Sequence, residues 1–364
     1  MTSMNEIRDI KMLTVNIHAM PCTNRCRHCW TSGSKEHRGV PAEQVLFVLD
    51  RLYDIRSLIP QVGFFLFDEP TNHPYFFDIM EKASEMGLIG EHHFLATNGS
   101  ILAKSSDASW ARLKKIGVNY LQFTLYGNES IHDDFAGRRG AFRNVETAIE
   151  KSNNHGIEWI AGVILHSDNV REIMETISYI KGLDESGNAR VGWFPFMWQG
   201  RGRDAGRVSR TEYERWIPED VRSRQKQLMD ERSAIDFILS EPELANRKAT
   251  EHNCTALTLN VDRDLNVFCG GACDSGGIAS AVPELSDAFR LGNLEEAGFK
   301  PLLDNFRTGK WSGFTHLDSL TWGELADRYG DRDNDEIFWL FDLPGNKWPA
   351  IHLQKIYSES SGVI

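Results

Sequence analysis

The chain has 364 residues, 41% of them apolar and 25% charged, which suits one large α/β domain with an appendage, or two domains. No stretch approaches the ~18 apolar residues of a membrane span. The opening ten residues also lack the basic start and apolar core of a signal peptide, so a cytoplasmic protein without a membrane partner is expected. Lys and Arg number 40 against 52 Asp and Glu, a net charge of −12. Phosphate binding needs a concentrated positive face, so nucleic acid is not an expected partner.

In chain order, Met12-Leu-Thr-Val-Asn-Ile17 reads as a first strand. Pro41–Leu58 is an expected helix, with Pro41 in its first turn and Val45, Leu46, Val48, Leu49 and Leu52 spaced for one buried face. A strand is expected over Val62–Phe67 and a helix over Tyr75–Met86, closed by Gly87. His93–Ala96 reads as a short third strand, and Ser106–Ile116 as a helix ending at Gly117. A strand over Tyr120–Leu125, a helix over Gly140–Asn154, a strand over Gly156–Leu165, a helix over Asn169–Lys181 and a strand over Arg190–Phe196 complete the series. The strands are short apolar runs rather than alternations, as in a parallel sheet covered on both faces. Repeated βα units predict a barrel or doubly wound sheet, with the chemistry at the C-terminal strand ends. From about Gly200 the composition turns to Arg, Glu, Asp and Ser, with an amphipathic helix expected over Thr211–Leu239, interrupted near Pro218.

Six cysteines fall in two groups: Cys22, Cys26 and Cys29, then Cys254, Cys269 and Cys273. In a chain without a leader, such groups read as metal ligands rather than disulfides. The first group, spaced C-x3-C-x2-C, sits in the loop after strand one. Three thiolates on a cubane cluster leave one iron open, because ferredoxin-type sites supply four. Zinc sites favour paired C-x2-C units and four ligands, and zinc or unrelated thiols remain the plain alternatives. Around the second group, Leu257, Leu259 and Val261 alternate as a strand, Asp262 to Asn266 is a turn, and Val267-Phe268 begins a return strand. The hairpin brings Cys254 near Cys269, and Gly270-Gly271 lets Cys273 curl back.

The Cys22/Cys26/Cys29 loop resembles that of the radical S-adenosylmethionine (radical SAM) enzymes. The resemblance implies an α/β fold, a partial (β/α)6 TIM-like barrel whose three cysteines hold a [4Fe-4S] cluster. The open iron of that cluster binds S-adenosylmethionine, which is cleaved to a 5′-deoxyadenosyl radical that abstracts a substrate hydrogen. Later segments carry the same resemblance. Glu69-Pro70 stands in the place of the family's Gly-Gly-Glu-Pro, with Phe67 and Asp68 replacing the glycines, and would hold the cofactor's amino group. Thr97-Asn98-Gly99 is similar to a family turn on the cofactor side. Thr124 would face the cofactor's carboxylate or ribose, Asn169 matches a polar position common in the family, and His28 stands where an aromatic hydrocarbon usually packs near adenine. The bland readings are a βα turn at Glu69, a turn at Asn98-Gly99, an ordinary strand residue at Thr124 and a helix cap beside Asn169.

The second cysteine group resembles the twitch or SPASM extension of some of these enzymes, a β-hairpin-plus-helix unit binding auxiliary clusters, although Leu265 stands where a glycine is usual. No cysteine follows Cys273, so one auxiliary [4Fe-4S] cluster is expected, its fourth ligand open; three buried thiols are the alternative. The implied organisation is a barrel over 1–200, a helical connector over 201–250, and the extension and tail over 251–364. Trp311, Trp322, Trp339 and Trp348 in that tail are expected to help close the barrel mouth. No residue stands out as a catalytic acid or base. The expected activity is radical SAM chemistry on a small polar metabolite of the sugar, nucleoside or aminocyclitol type. That choice rests on there being only 21 residues before Cys22, too few for a leader-binding domain, and on the absence of further cysteines. Modification of a ribosomally made peptide is the alternative. An external electron donor of the flavodoxin or ferredoxin type is the expected partner, and a plain electron carrier or zinc protein is the non-enzymatic reading.

Overall fold

The computed structural model describes residues 10–20, 22–29, 39–90, 93–184, 190–195, 206–224, 228–247, 256–269, 290–307 and 320–339. Over the first half, strand and helix alternate: β1 (Met12–Met20), α1 (Ala42–Ile55), β2 (Gln61–Asp68), α2 (Phe76–Glu85), β3 (Phe94–Thr97), α3 (Asp107–Ile116), β4 (Tyr120–Leu125), α4 (Glu129–Phe135), α5 (Ala141–His155), β5 (Glu158–Leu165), α6 (Ile173–Gly182) and β6 (Arg190–Pro195). β1 pairs parallel with β2, and β3, β4, β5 and β6 pair parallel in that order. β2 and β3 lie side by side without a shared ladder; there the Phe65 and Phe94 rings meet, centroids 4.6 Å apart. This is the partial barrel that the family resemblance implies, and one of the two layouts that the βα pattern allows.

Local chemistry explains the element ends. Ser106 caps α3 by accepting from Ser109 N–H (3.3 Å), and Gly117, at φ 101°, closes it. Val45, Val48, Leu49, Leu52 and Ile55 form the buried stripe of α1. Leu13, Val15 and Ile17 on β1, and Leu121, Phe123 and Leu125 on β4, are fully buried in the same core. The intervening β4 residues, Tyr120, Gln122 and Thr124, are only half-buried. The strands therefore do alternate: their outer side chains pack on the helices, and their inner ones line an open barrel rather than a doubly covered sheet.

The expected helix over Thr211–Leu239 is not one helix. It is α7 (Arg210–Trp216), α8 (Glu219–Arg222), β7 (Leu228–Asp230) and α9 (Glu231–Ser240). Ile217 is extended (φ −99°, ψ 123°) because Pro218 disfavours helix at the residue before it. Asp230 then caps α9, accepting from Ser233 N–H at 2.7 Å. β7 is a strand because β11 (Ile337–Trp339) pairs with it antiparallel from far along the chain. Trp322 is buried at the start of the helix Trp322–Tyr329, which packs on α9 and on α10 (Pro242–Ala245). Trp311 and Trp348 lie outside the described residues, as does the side chain of Trp339.

The hairpin forms as expected, with β8 (Ala256–Val261) antiparallel to β9 (Asn266–Cys269). Its placement is new. β8 adds parallel to β1, from Met12 opposite Ala256 to Ile17 opposite Val261, and the sheet runs β10-β9-β8-β1-β2, with β10 at Arg290–Asn293. Across that seam Asn16 Nδ2 donates to Asn260 Oδ1 at 2.9 Å, both side chains buried. The hairpin turn is tied by Asp262 Oδ1, which accepts from the N–H groups of Asp264 and Asn266, each at 2.9 Å. Leu265 is consequently held at φ 60°, where a glycine would be relaxed, while its side chain is buried in the core. No helix among the described residues is long and apolar enough to cross a membrane.

Two outcomes test this account. Leu265→Gly removes backbone strain of roughly 1–2 kcal/mol but also a buried leucine worth about 2–5 kcal/mol, so denaturant unfolding should show a net loss of stability; a gain would mean the strain dominates. His93 is buried and stacked on Phe65 (5.5 Å, 19°), and burial pushes its ring down to about 4. The unfolded ring takes a proton below about 6.5 that the folded ring refuses until about 4. Stability should therefore be complete above 6.5 and fall across that window, and His93→Phe should flatten the fall in a pH series of unfolding curves.

Candidate functional site

The loop 22–29 leaves the top of β1 and docks on the end of α4. Arg25 N–H donates to Ala136 O at 2.8 Å and Arg27 N–H to Phe135 O at 2.9 Å. Gly137, at φ 61°, must lack a side chain, since a Cβ would lie 3.1 Å from both Cβ and the carbonyl oxygen of Arg25. The Arg27 guanidinium bridges Asp168 (3.0 Å) and Asp134 on the surface. Of the three cysteines, Cys26 is buried and Cys22 and Cys29 are half-buried. Among the described residues no three His, Cys, Asp or Glu side chains gather as on a single metal ion. A cluster places a different iron on each thiol, so a spread arrangement suits it. The sulfurs also receive hydrogen bonds: Cys22 Sγ from Asn24 N–H (3.4 Å) and Asn98 Nδ2 (3.0 Å), and Cys26 Sγ from Tyr126 Oη (3.3 Å). Donors aimed at sulfur match thiolate ligands.

Beside the loop, β2 ends at Asp68, which adopts φ 68°, so the turn keeps its left-handed geometry without the glycine. Pro70 opens a 3-10 turn over Pro70–Asn72 and is buried. Glu69 is fully buried and accepts from Thr97 Oγ1 (2.7 Å), Asn98 N–H (2.6 Å) and the Thr71 hydroxyl. Asn98 then reaches Cys22 and also Thr23 Oγ1 (3.1 Å), so Glu69, Asn98 and Cys22 form one continuous hydrogen-bonded line. Burial raises the Glu69 carboxyl against those three donors. Burial first, and then the Glu69 charge, push the Cys22 thiol up to about 12. Among the described residues no cation pairs with Glu69. Such a site favours an incoming positive charge, an ammonium at the carboxylate or a metal at the thiolate.

The remaining expected residues divide. Thr124 faces the barrel interior, half-buried and opposite Gly162 of β5, with no hydrogen bond to a described residue. His28 packs edge-on to Tyr126 (5.0 Å) and near Phe135 (5.6 Å), an aromatic neighbourhood behind the loop. Asn169 does not present itself to a ligand. Its Nδ2 donates to Tyr126 O (3.0 Å) and Ile164 O (2.6 Å), and its Oδ1 accepts from His166 N–H (2.9 Å), all inside the fold. Cys254 and Cys273 lie outside the described residues; Cys269 ends β9, its backbone opposite Leu259. Sequence reasoning passed over Tyr126. Its signal was its place directly after a strand end, ahead of Asn128, whose side chain caps α4 by accepting from Ile131 N–H (3.1 Å). Burial first, then the charge and hydrogen bond of Cys26, hold its phenol well above the usual range, so it stays a donor.

Residues 17–180 match the family model described as the Radical SAM superfamily. Those residues form a radical SAM domain, which brings with it the family's [4Fe-4S] cluster and S-adenosylmethionine as cofactors. It is 23% identical over 316 residues to the Fe-coproporphyrin III synthase of Methanosarcina barkeri (strain Fusaro / DSM 804), covering 86% of this chain and 70% of that protein. It is 26% identical over 194 residues to the antilisterial bacteriocin subtilosin biosynthesis protein AlbA of Bacillus subtilis (strain 168), covering 50% of this chain and 39% of that one. Its fold is similar to that of native anSMEcpe with bound AdoMet and Cp18Cys peptide, with a TM-score of 0.55 and 13% identity over 97% of this chain and 99% of that one.

The buried, cation-free carboxylate yields a direct test. Glu69→Gln removes a charge that burial disfavours and turns one accepting oxygen into a donor, which the Thr71 and Thr97 hydroxyls can rotate to accept while Asn98 N–H keeps the remaining oxygen, so the metal-free protein at pH 7 should unfold at the same or higher denaturant concentration. A marked loss of stability would mean the charge is balanced within the fold.

Proposed function

We propose that this enzyme modifies a ribosomally made peptide, with Cys22, Cys26 and Cys29 holding the catalytic cluster. When bound, the cluster and S-adenosylmethionine supply one-electron chemistry that ends in removal of a substrate hydrogen atom. The chain's own residues prepare that event. Glu69, buried and without a cation partner among the described residues, would receive the cofactor's ammonium. Asn98 ties the carboxylate to the loop, so that both contacts share one frame. Thr124, opposite Gly162 of β5, offers a hydroxyl on the inner wall. Cys254, Cys269 and Cys273 are proposed to hold the auxiliary cluster beyond β9.

The observation that carries the peptide reading is the inner wall. On β2 to β5 half-buried side chains of that wall, among them Phe65, Ala96, Gln122, Thr124, Ile160 and Ile164, carry no charge; the half-buried carboxylate on these strands is Asp68, at the end of β2. Gly63 of β2 leaves open space beside them, with no atom within 4 Å of where a Cβ would stand. An uncharged wall with amide and hydroxyl groups suits a peptide main chain better than an anionic metabolite. The likeness to AlbA, named for bacteriocin biosynthesis, and to a fold seen holding AdoMet with a peptide supports the same direction. A second reading, a small metabolite, draws on the longer match to Fe-coproporphyrin III synthase, although a carboxylate-rich tetrapyrrole would find no cation on the described wall.

The test is anaerobic formation of 5′-deoxyadenosine from S-adenosylmethionine and a chemical reductant, with candidate substrates added. Peptides encoded by short reading frames beside the gene should accelerate it. Nucleosides, sugars and iron coproporphyrin should not, and acceleration by any of these alone would favour the second reading. Glu69→Gln should weaken S-adenosylmethionine binding by roughly tenfold or more, the value of a charged hydrogen bond, as measured by calorimetry on the iron-loaded protein.

A further inference from the structure

Tyr126 is held more tightly than packing alone requires. Its backbone N–H donates to His132 Nδ1 (3.3 Å). Its carbonyl accepts from His166 Nε2 (2.9 Å) and Asn169 Nδ2 (3.0 Å). Its ring lies against Phe135 (4.7 Å), His28 (5.0 Å) and His132 (5.1 Å). His166 is braced in turn, its ring stacked on Phe135 at 4.2 Å. Three elements thus converge on one residue: the loop 22–29 and α4 on its ring, and the turn after β5 on its carbonyl. A phenylalanine would fill the same pocket among Phe135, Ala136 and Ala141. The hydroxyl is what packing leaves unexplained, and a buried hydroxyl needs a partner. That partner is Cys26 Sγ, 3.3 Å away.

We propose that Tyr126 is a positioning residue that raises the reduction potential of the cluster held by Cys22, Cys26 and Cys29, by donating its phenolic hydrogen bond to the Cys26 sulfur. The proposal rests on those three cysteines being the ligands, as argued above. Reduction adds one electron whose charge spreads onto the ligand sulfurs. An O–H dipole fixed on one sulfur stabilises the reduced form more than the oxidised form, and hydrogen bonds to sulfur are an established determinant of cluster potential. The cluster then accepts an electron more readily and gives it up less readily. The donors to Cys22 differ in kind. One is the backbone of the loop itself, and the other, Asn98, is also within bonding distance of Thr23 Oγ1. The phenol works from the buried side, where water does not screen it.

The experiment is a redox titration of the reconstituted enzyme with dithionite and mediators, followed by electron paramagnetic resonance. It reads the reduced signal that changes when S-adenosylmethionine is added, so that any hairpin cluster is not counted. Tyr126→Phe should lower the potential, cutting the reduced-to-oxidised ratio at a fixed potential roughly tenfold, about 59 mV for one electron. Tyr126→3-fluorotyrosine, a stronger donor of nearly the same size, should move it the opposite way. Normal iron content with an unchanged potential in both variants overturns the proposal, even if stability changes. If Tyr126→Phe fails to hold iron, the fluorinated variant decides, and no rise in potential overturns it. A wild-type protein that binds no iron sinks the ligand assignment, and this proposal with it.

Discussion

The structure depends on β1 being hydrogen-bonded along both edges, to β2 on one side and to β8 on the other. Both pairings are parallel, so the three strand directions agree. The loop that leaves the top of β1 therefore has a fixed height relative to Glu69 at the top of β2 and to the hairpin turn beyond Val261. A strand paired on one edge could tilt, and the loop would tilt with it. With both edges occupied, and Asn16 joined to Asn260 across the seam, the thiols inherit the rigidity of the sheet.

How much was legible in the sequence followed from the range of the interactions. The βα series was readable because each unit carries its own signals: an apolar run, a stripe at helical spacing, a glycine at the end. The Cys22, Cys26 and Cys29 loop stood out by its spacing, while the role given to it rested on the family resemblance. What could not be read depends on partners far away. β7 is strand only because β11 lies beside it, and nothing near Leu228 announces that. α4 was missed because its apolar residues are too few to show a period. Asn169 was read as facing a ligand, whereas its amide serves the turn that carries it, a role decided by the carbonyl of Tyr126 forty-three residues earlier. Asp68 and Leu265 show a third case. Two turns that resembled glycine turns keep the left-handed backbone and tolerate a costlier residue in it, because surrounding contacts over-determine the geometry.

The cofactor-side chemistry is distributed in a consistent way. Negative character is concentrated at one buried point, Glu69, and at the thiols, while the described inner wall below is neutral. In the proposed function, charge is thus kept at the cofactor end, and the rest of the barrel is left to discriminate by shape and hydrogen bonding. Such a division lets the same cofactor end serve many substrates, with the wall free to vary.

The seam between β1 and β8 also sets an order of events in the cell. Asn16 and Asn260 are 244 residues apart. At about 5–20 residues per second of synthesis, the first strand leaves the ribosome on the order of tens of seconds before its second neighbour is made. During that interval one edge of β1 is bare, open to wrong pairing and to chaperones. The loop next to it is anchored on one side only. The double-edged support of β1 is therefore complete only once the chain has been made as far as Val261, and until then β1 carries one unpaired edge.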